Sequence, residues 1–248
     1  MDDAFCGIDV ACAKNKSLPV AVVVREGDGI RTLPLRTARF KPPRGMGNLF
    51  ALDENIRSNF AAQTSEYLAT IEHHFGVKIV RVAIDAPRLP STGSRRCAEK
   101  AMDQLKIHCI ATPSKATFDQ IPQKVKDHIA AGGAQSGLPH ANQIWMLVGF
   151  DLFQRLSDSY ECIEVFPNAI VHVIAPGCAH KKKKEGFNQQ IEAFAARAGW
   201  DGESQKQAAF GPKDDRLDAV MSAWIASLPD SDRIAHGDGE LDTIWNVK

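Results

Sequence analysis

The sequence predicts an α/β domain that opens with strands and continues as helix–strand alternation, and three observations carry that prediction. Residues 5–11 and 19–24 are short apolar runs joined by the polar stretch Lys14-Asn15-Lys16-Ser17, a hairpin pattern. Residues 78–86 (KIVRVAIDA) form a β-branched run of the kind buried on both faces of a parallel strand. Beyond it, helical periodicities alternate with another apolar run at 160–166, and no repeat or low-complexity linker interrupts them.

Taken in order, a third strand is read at 30–40, and 41–48 (KPPRGMGN) is a loop by its proline and glycine content. Asp53 is a candidate N-cap for a helix reaching Phe75, with Phe60, Leu68, Ile71 and Phe75 at helical spacing and Gly76 as the stop. A helix at 95–106 and a strand at 107–111 follow, the latter broken by Thr112-Pro113-Ser114. Weak helical signals surround Pro122. A stronger helix starts at Pro139 and places Ala141, Trp145, Val148, Leu152 and Leu156 on its inner face. After the strand at 160–166 come a helix behind Pro167, a polar loop holding Lys181 to Lys184, and helices at 188–198 and 214–228. The expected organisation is one domain over 1–248, with a helical insertion around 113–158 and an irregular tail at 229–248.

The bulk properties bound the function. Thirty Lys+Arg balance thirty Asp+Glu in 248 residues, so any contact with a polyanion has to be local. The six cysteines have no CxxC spacing and read as reduced core residues. No basic-then-apolar segment opens the chain, and no stretch approaches the roughly 18 apolar residues of a membrane helix. A cytoplasmic protein without membrane contact is the expectation. Adjacent His73-His74 and the Cys178-Ala179-His180 run lack partners at zinc-finger spacing.

Four acidic positions stand where burial is costly. Asp9 lies inside the first apolar strand, and an unpaired carboxylate there costs several kcal/mol to desolvate. Asp85 ends the most hydrophobic strand, where open α/β sheets bind ligands. Glu164 interrupts the run 162–167 (CIEVFP). Asp214, Asp215 and Asp218 open the final helix, Asp215 and Asp218 one turn apart. Each also has a structural reading: a turn cap at Asp9, an Asx-turn before Pro87 at Asp85, a solvent-facing edge for Glu164, and dipole compensation for the helix acids. Together they are the hard oxygen donors that a magnesium site requires.

With these residues in view, the chain resembles the family called domain of unknown function 429, described as predicted nucleases with a ribonuclease H fold. The matching segments are 7–11 (GIDVA), 83–87 (AIDAP), 93–97 (GSRRC), 112–114 (TPS), 164–167 (EVFP), the 181–184 lysine run and 215–219 (DRLDA). The resemblance implies a ribonuclease H-like mixed sheet of five strands, an antiparallel meander then parallel strands, flanked by helices. It also implies that Asp9 is the central metal ligand, that Asp85 is a second, and that Asp215 and Asp218 complete the set, with Glu164 and Asp214 as further candidates.

The expected activity is then a nuclease that cuts DNA or RNA phosphodiesters with two Mg²⁺ or Mn²⁺ ions roughly 3.5 to 4 Å apart. Arg88, Arg95 and Arg96, following Asp85, are candidate phosphate contacts, as are Lys14, Lys182 and Lys183. A homodimer or a partner protein is compatible with this reading. Two other functions compete: a non-catalytic binding module of the same fold, and an actin-like phosphotransferase. The latter would need glycine-rich phosphate loops that the sequence lacks.

Overall fold

The structure, a computed structural model, describes residues 1–134 and 141–248. It is an α/β protein whose mixed sheet has seven strands in the order β3-β2-β1-β4-β5-β7-β6. Strands β1 (Asp2–Asp9), β2 (Val20–Glu26) and β3 (Gly29–Thr32) form the antiparallel meander, while β4 (Val77–Asp85) and β5 (Glu161–Val165) run parallel to β1. The last two, β6 (Arg233–Asp238) and β7 (Asp242–Val247), are an antiparallel hairpin with β7 parallel to β5.

The helices are α1 (Leu49–Leu52), α2 (Glu54–Phe75), α3 (Cys97–Gln104), α4 (Lys115–Asp119), α5 (Ile121–Ala130), α6 (Ala141–Leu156), α7 (Pro167–Ile174), α8 (Lys184–Ala198), α9 (Gln205–Ala208) and α10 (Lys213–Ser227). Among the described residues none is long and apolar enough to cross a membrane.

Strand alternation sorts the core into two layers. Ala4, Cys6 and Ile8 of β1, with Val82 and Ile84 of β4, pack against α2 and α6. Ala21 and Val23 of β2, Ala83 of β4, and Ile163 and Val165 of β5 pack instead with α7, α8 and α10. Helix α10 is buried almost continuously from Leu217 to Ser227, because it lies directly on the sheet. Gly7 makes that approach possible: a Cβ there would stand 2.0 Å from the Ala219 carbonyl oxygen and 2.3 Å from the Ala223 nitrogen.

Local signals account for the early elements. Asp53 caps α2 by accepting from the Asn55 amide at 2.9 Å, and Gly76 ends it in the left-handed conformation at φ 66°.

Several expectations need correction. The sheet has seven strands rather than five, because residues 233–247 of the expected irregular tail are the β6–β7 hairpin. The third strand stops at Thr32, since Pro34 carries no amide for a ladder and a 3₁₀ turn follows at Leu35–Thr37. Residues 107–111 form no strand. Lys106 at φ 60° reverses the chain, with the Ile107 amide bonded to the Met102 carbonyl at 2.9 Å and that of Lys106 to Asp103 at 2.9 Å, and the segment beyond runs beside the sheet without joining it. The expected helix start at Pro139 lies outside the described residues.

Gly7→Ala should cost at least about 1–3 kcal/mol by overpacking, since both opposing atoms are helix backbone. Gly93, where a Cβ meets nothing within 4 Å, is the control. Urea denaturation of both alanine variants checks this, and equal midpoints would contradict the close contact.

Candidate functional site

Asp9 and Asp85 are register partners at the carboxyl ends of the parallel strands β1 and β4, so both side chains project from the same face. That face is fixed by Gly7 and Ala83, two residues earlier on each strand, which look toward α10. On α10 the residues against β1 are Ala219, Ser222 and Ala223, and Asp215 and Asp218 extend the same stripe toward the helix start. The contact at Gly7 therefore carries the α10 acids over the strand ends. Asp9, Asp85 and Asp218 line one cleft, and Asp215 is near enough to raise the pKa of both strand acids.

Their electrostatics show the strain of the meeting. Burial, with repulsion from Asp215 next, pushes the Asp9 carboxyl up to about 7, against the lowering influence of Lys181 and Lys16. Burial and then the Asp9 charge raise Asp85 well above the usual carboxylate range. Neither side chain has a hydrogen bond or ion pair among the described residues. Asp218, 6% exposed, pairs with Lys181 through Oδ2, while its Oδ1 is buried with no hydrogen-bond partner. Asp215 pairs with Lys16, whose ammonium it holds above its ordinary pKa although burial opposes the charge.

Both lysines sit on tightly held loops. Asn15, at φ 64°, donates to the Gly45 carbonyl at 2.8 Å, and the Gly45 amide returns a bond to Lys16 at 2.8 Å. A Cβ on Gly45 would meet the Ala13 oxygen at 2.3 Å. Lys181 follows Ala179 and His180, whose carbonyls press on Gly186 of α8 and accept from Gln190 at 3.1 Å through Ala179.

Glu164 has a different environment. It is the register partner of Ile84, one residue short of Asp85, and therefore faces the α6 side. Arg96 holds both its oxygens in a fork, and the Arg88 amide adds a bond at 3.0 Å. Burial still raises its pKa, with Arg96 offsetting that rise. Arg96 also lies 3.4 Å from Glu99 and 3.7 Å from Asp242, and Asp242 caps α3 through the Cys97 and Ala98 amides at 2.7 and 3.2 Å. This is a scaffold pair joining β5, α3 and β7.

The other expected phosphate contacts divide. The Arg88 guanidinium lies over the Phe153 ring and bonds the Cys162 carbonyl at 3.2 Å, and Arg95 is held by Asp103 at 2.6 Å. The three arginines thus serve the protein's own groups. Lys14, Lys182 and Lys183 are exposed, and Asp214 is half-buried beside Asp215. Sequence reading passed over Lys16, although it lies in the marked 14–17 segment, and offered Lys181 only as one of the 181–184 lysine run.

The strand ends open into a cleft of about 860 Å³, whose lining includes Asp9, Asp85, Lys16, Lys181, Asp218 and Trp145. Among the described residues no three His, Cys, Asp or Glu side chains stand ready to hold a metal ion, the two lysines being paired with the α10 acids. The donor set nevertheless fits a hard dication in two respects. Four carboxylates, when ionised, against two ammoniums leave two negative charges uncompensated, and Asp218 Oδ1 is a buried acceptor without a donor.

The family described as "Protein of unknown function (DUF429)" matches residues 7–238 of the chain. No match is found among curated proteins or among solved structures.

Two outcomes test this geometry. The folded pKa of Asp9, about 7, exceeds the ordinary value near 3.9, so the folded state binds more protons between them and Asp9 makes stability fall as pH rises through that window. In metal-free buffer, the melting temperature of Asp9→Asn should exceed wild type by more at pH 8 than at pH 4; a pH-independent difference would refute the assignment. Arg96→Met should cost about 3–5 kcal/mol by leaving Glu164 buried and unpaired, and Arg96→Met combined with Glu164→Gln should recover part of it in urea melts.

Proposed function

We propose that the chain, which belongs to the family described as "Protein of unknown function (DUF429)", is a ribonuclease H-like, metal-dependent nuclease that hydrolyses nucleic-acid phosphodiester bonds. The strand order supports the fold reading: an antiparallel meander followed by β4 and β5 parallel to β1. The observation that carries the activity is the pair of unpartnered carboxylates, Asp9 and Asp85, side by side under Asp215 and Asp218 with a surplus of two negative charges when all four are ionised.

Asp9 is central because it feels both Asp85 and Asp215, so it would share its oxygens between the strand and helix sides of the site. Bound Mg²⁺ or Mn²⁺ would lower the pKa of a water nucleophile and offset charge on the phosphate. The protein's part is to hold the donors. Gly7 sets the height of α10 over Asp9, and Arg96 engages both oxygens of Glu164, which lines the same cleft. Lys16 and Lys181 would exchange their carboxylate partners for the substrate phosphate, leaving Asp215 and Asp218 to the cation. Arg95 and Arg96 are already engaged, so these lysines and the exposed Lys14, Lys182 and Lys183 are the candidates to meet a phosphate chain.

The same two ion pairs favour a second reading, in which lysines replace metal permanently and the fold is a non-catalytic binding module.

Cleavage of a panel of single- and double-stranded DNA and RNA in Mn²⁺ separates the two. Wild type should cut, and Asp9→Asn should lose more than the roughly 10- to 100-fold that outer-shell changes cost, while keeping its fold. Equal rates in both proteins reject the nuclease. Lys181→Met removes a competing cation and should tighten Mn²⁺ binding on the order of tenfold in calorimetric titration, a change worth about 1.4 kcal/mol; unchanged affinity would show that the lysine does not compete.

A further inference from the structure

The cleft lining includes apolar side chains that the acid chemistry does not use. Helix α6 crosses β4 at Gly149, where an added Cβ would lie 2.5 Å from the Ala86 Cβ. Trp145, four residues earlier, lies on the same helix face one turn toward the helix start. It lines the cleft and is only partly buried. Phe166, which directly follows β5, and Ile110, from the unpaired segment after α3, line the cleft as well. Ile110 is 48% exposed, an apolar side chain left open within the cleft.

A cleft whose lining joins carboxylates and two lysines to an indole, a phenyl ring and an isoleucine suits a ligand that is itself part polar and part apolar. Such a ligand has a flat apolar body joined to a phosphate. The volume, about 860 Å³, falls within the range of roughly 300–1,000 Å³ found for small-molecule sites. Arg88, Arg95 and Arg96 are spent on protein partners, so these three are not free to hold a second phosphate backbone.

We propose that the cleft takes one unpaired nucleotide of a single strand at a time, its base stacked on Trp145 and its phosphate directed at Asp9 and Asp85. The phosphate half of this assignment rests on the nuclease reading; the base half rests on Trp145, Phe166 and Ile110. Stacking on an aromatic face tolerates any base, so the preference is for strandedness rather than for sequence.

The test is fluorescence anisotropy with a short labelled oligothymidylate, its ribo counterpart and a blunt duplex of equal length, each in EDTA and in Ca²⁺. Wild type should bind the single strands more tightly than the duplex, and the two single-strand arms separate DNA from RNA. Trp145→Leu keeps apolar bulk without an aromatic face and should weaken single-strand binding by about 5- to 150-fold. Trp145→Phe should restore most of it, and melting curves of both variants establish that they are folded. Duplex binding at least as tight as single-strand binding overturns the inference, as does equal binding by Trp145→Leu and wild type, or no binding of any strand. If wild type cuts nucleic acid in Mn²⁺ while Trp145→Leu binds normally, this inference alone fails. If binding depends on Trp145 but nothing is cut, the nuclease reading alone fails.

Discussion

The approach of α10 to β1 at Gly7 is the contact on which the site depends. A side chain there would collide with helix backbone, which cannot rotate away, so the helix would have to rise or slide. Either movement would take Asp215 and Asp218 away from Asp9. The first strand thus does two jobs in three residues: Gly7 sets how near the helix lies, and Asp9 supplies the carboxylate that the helix acids are brought to meet.

That meeting opposes folding, because like charges in a partly dry cleft repel. The chain answers with Lys16 and Lys181, each delivered by a loop whose backbone is fixed independently of the acids. Burial first, and repulsion between the acids next, still raise the carboxyls of Asp9 and Asp85. A purely structural cluster would gain by completing the compensation or by losing an acid. A few residues away, Glu164 and Arg96 show how fully this fold can neutralise a buried carboxylate when nothing else is asked of it.

Much of the first two-thirds of the fold was legible because local chemistry and tertiary structure agree there: the strand at 78–86, the Asp53 cap and the Gly76 stop all act within a few residues. The acids were legible for a related reason, since a carboxylate in an apolar run is a local anomaly. What escaped depends on register and direction. Glu164 looked equivalent to Asp85, yet a one-residue offset between β4 and β5 turns it to the opposite face. Lys14 and Lys16 are indistinguishable by composition, yet on either side of the left-handed Asn15 one is exposed and the other lines the cleft. Ile107 and Cys109 are buried in strand-like alternation with exposed His108 and Ile110, but alternation reports burial and not pairing. The β6–β7 hairpin hid because β6 is a largely exposed edge; Asp238-Gly239, with Gly239 at φ 69°, was its turn signal.

The placement of β7 bears on how the chain assembles. This strand slots between β5 and β6, yet four helices separate it from β5 in sequence. Until it arrives, β5 has an open hydrogen-bonding edge of Cys162, Ile163 and Val165, and Asp242 is missing from the start of α3. During synthesis the meander and β4 can pair early, but the outer half of the sheet has to wait for distant chain. A nascent protein halted before β7 would carry a sticky apolar strand, so growing chains of this protein have reason to be shielded until that strand is made.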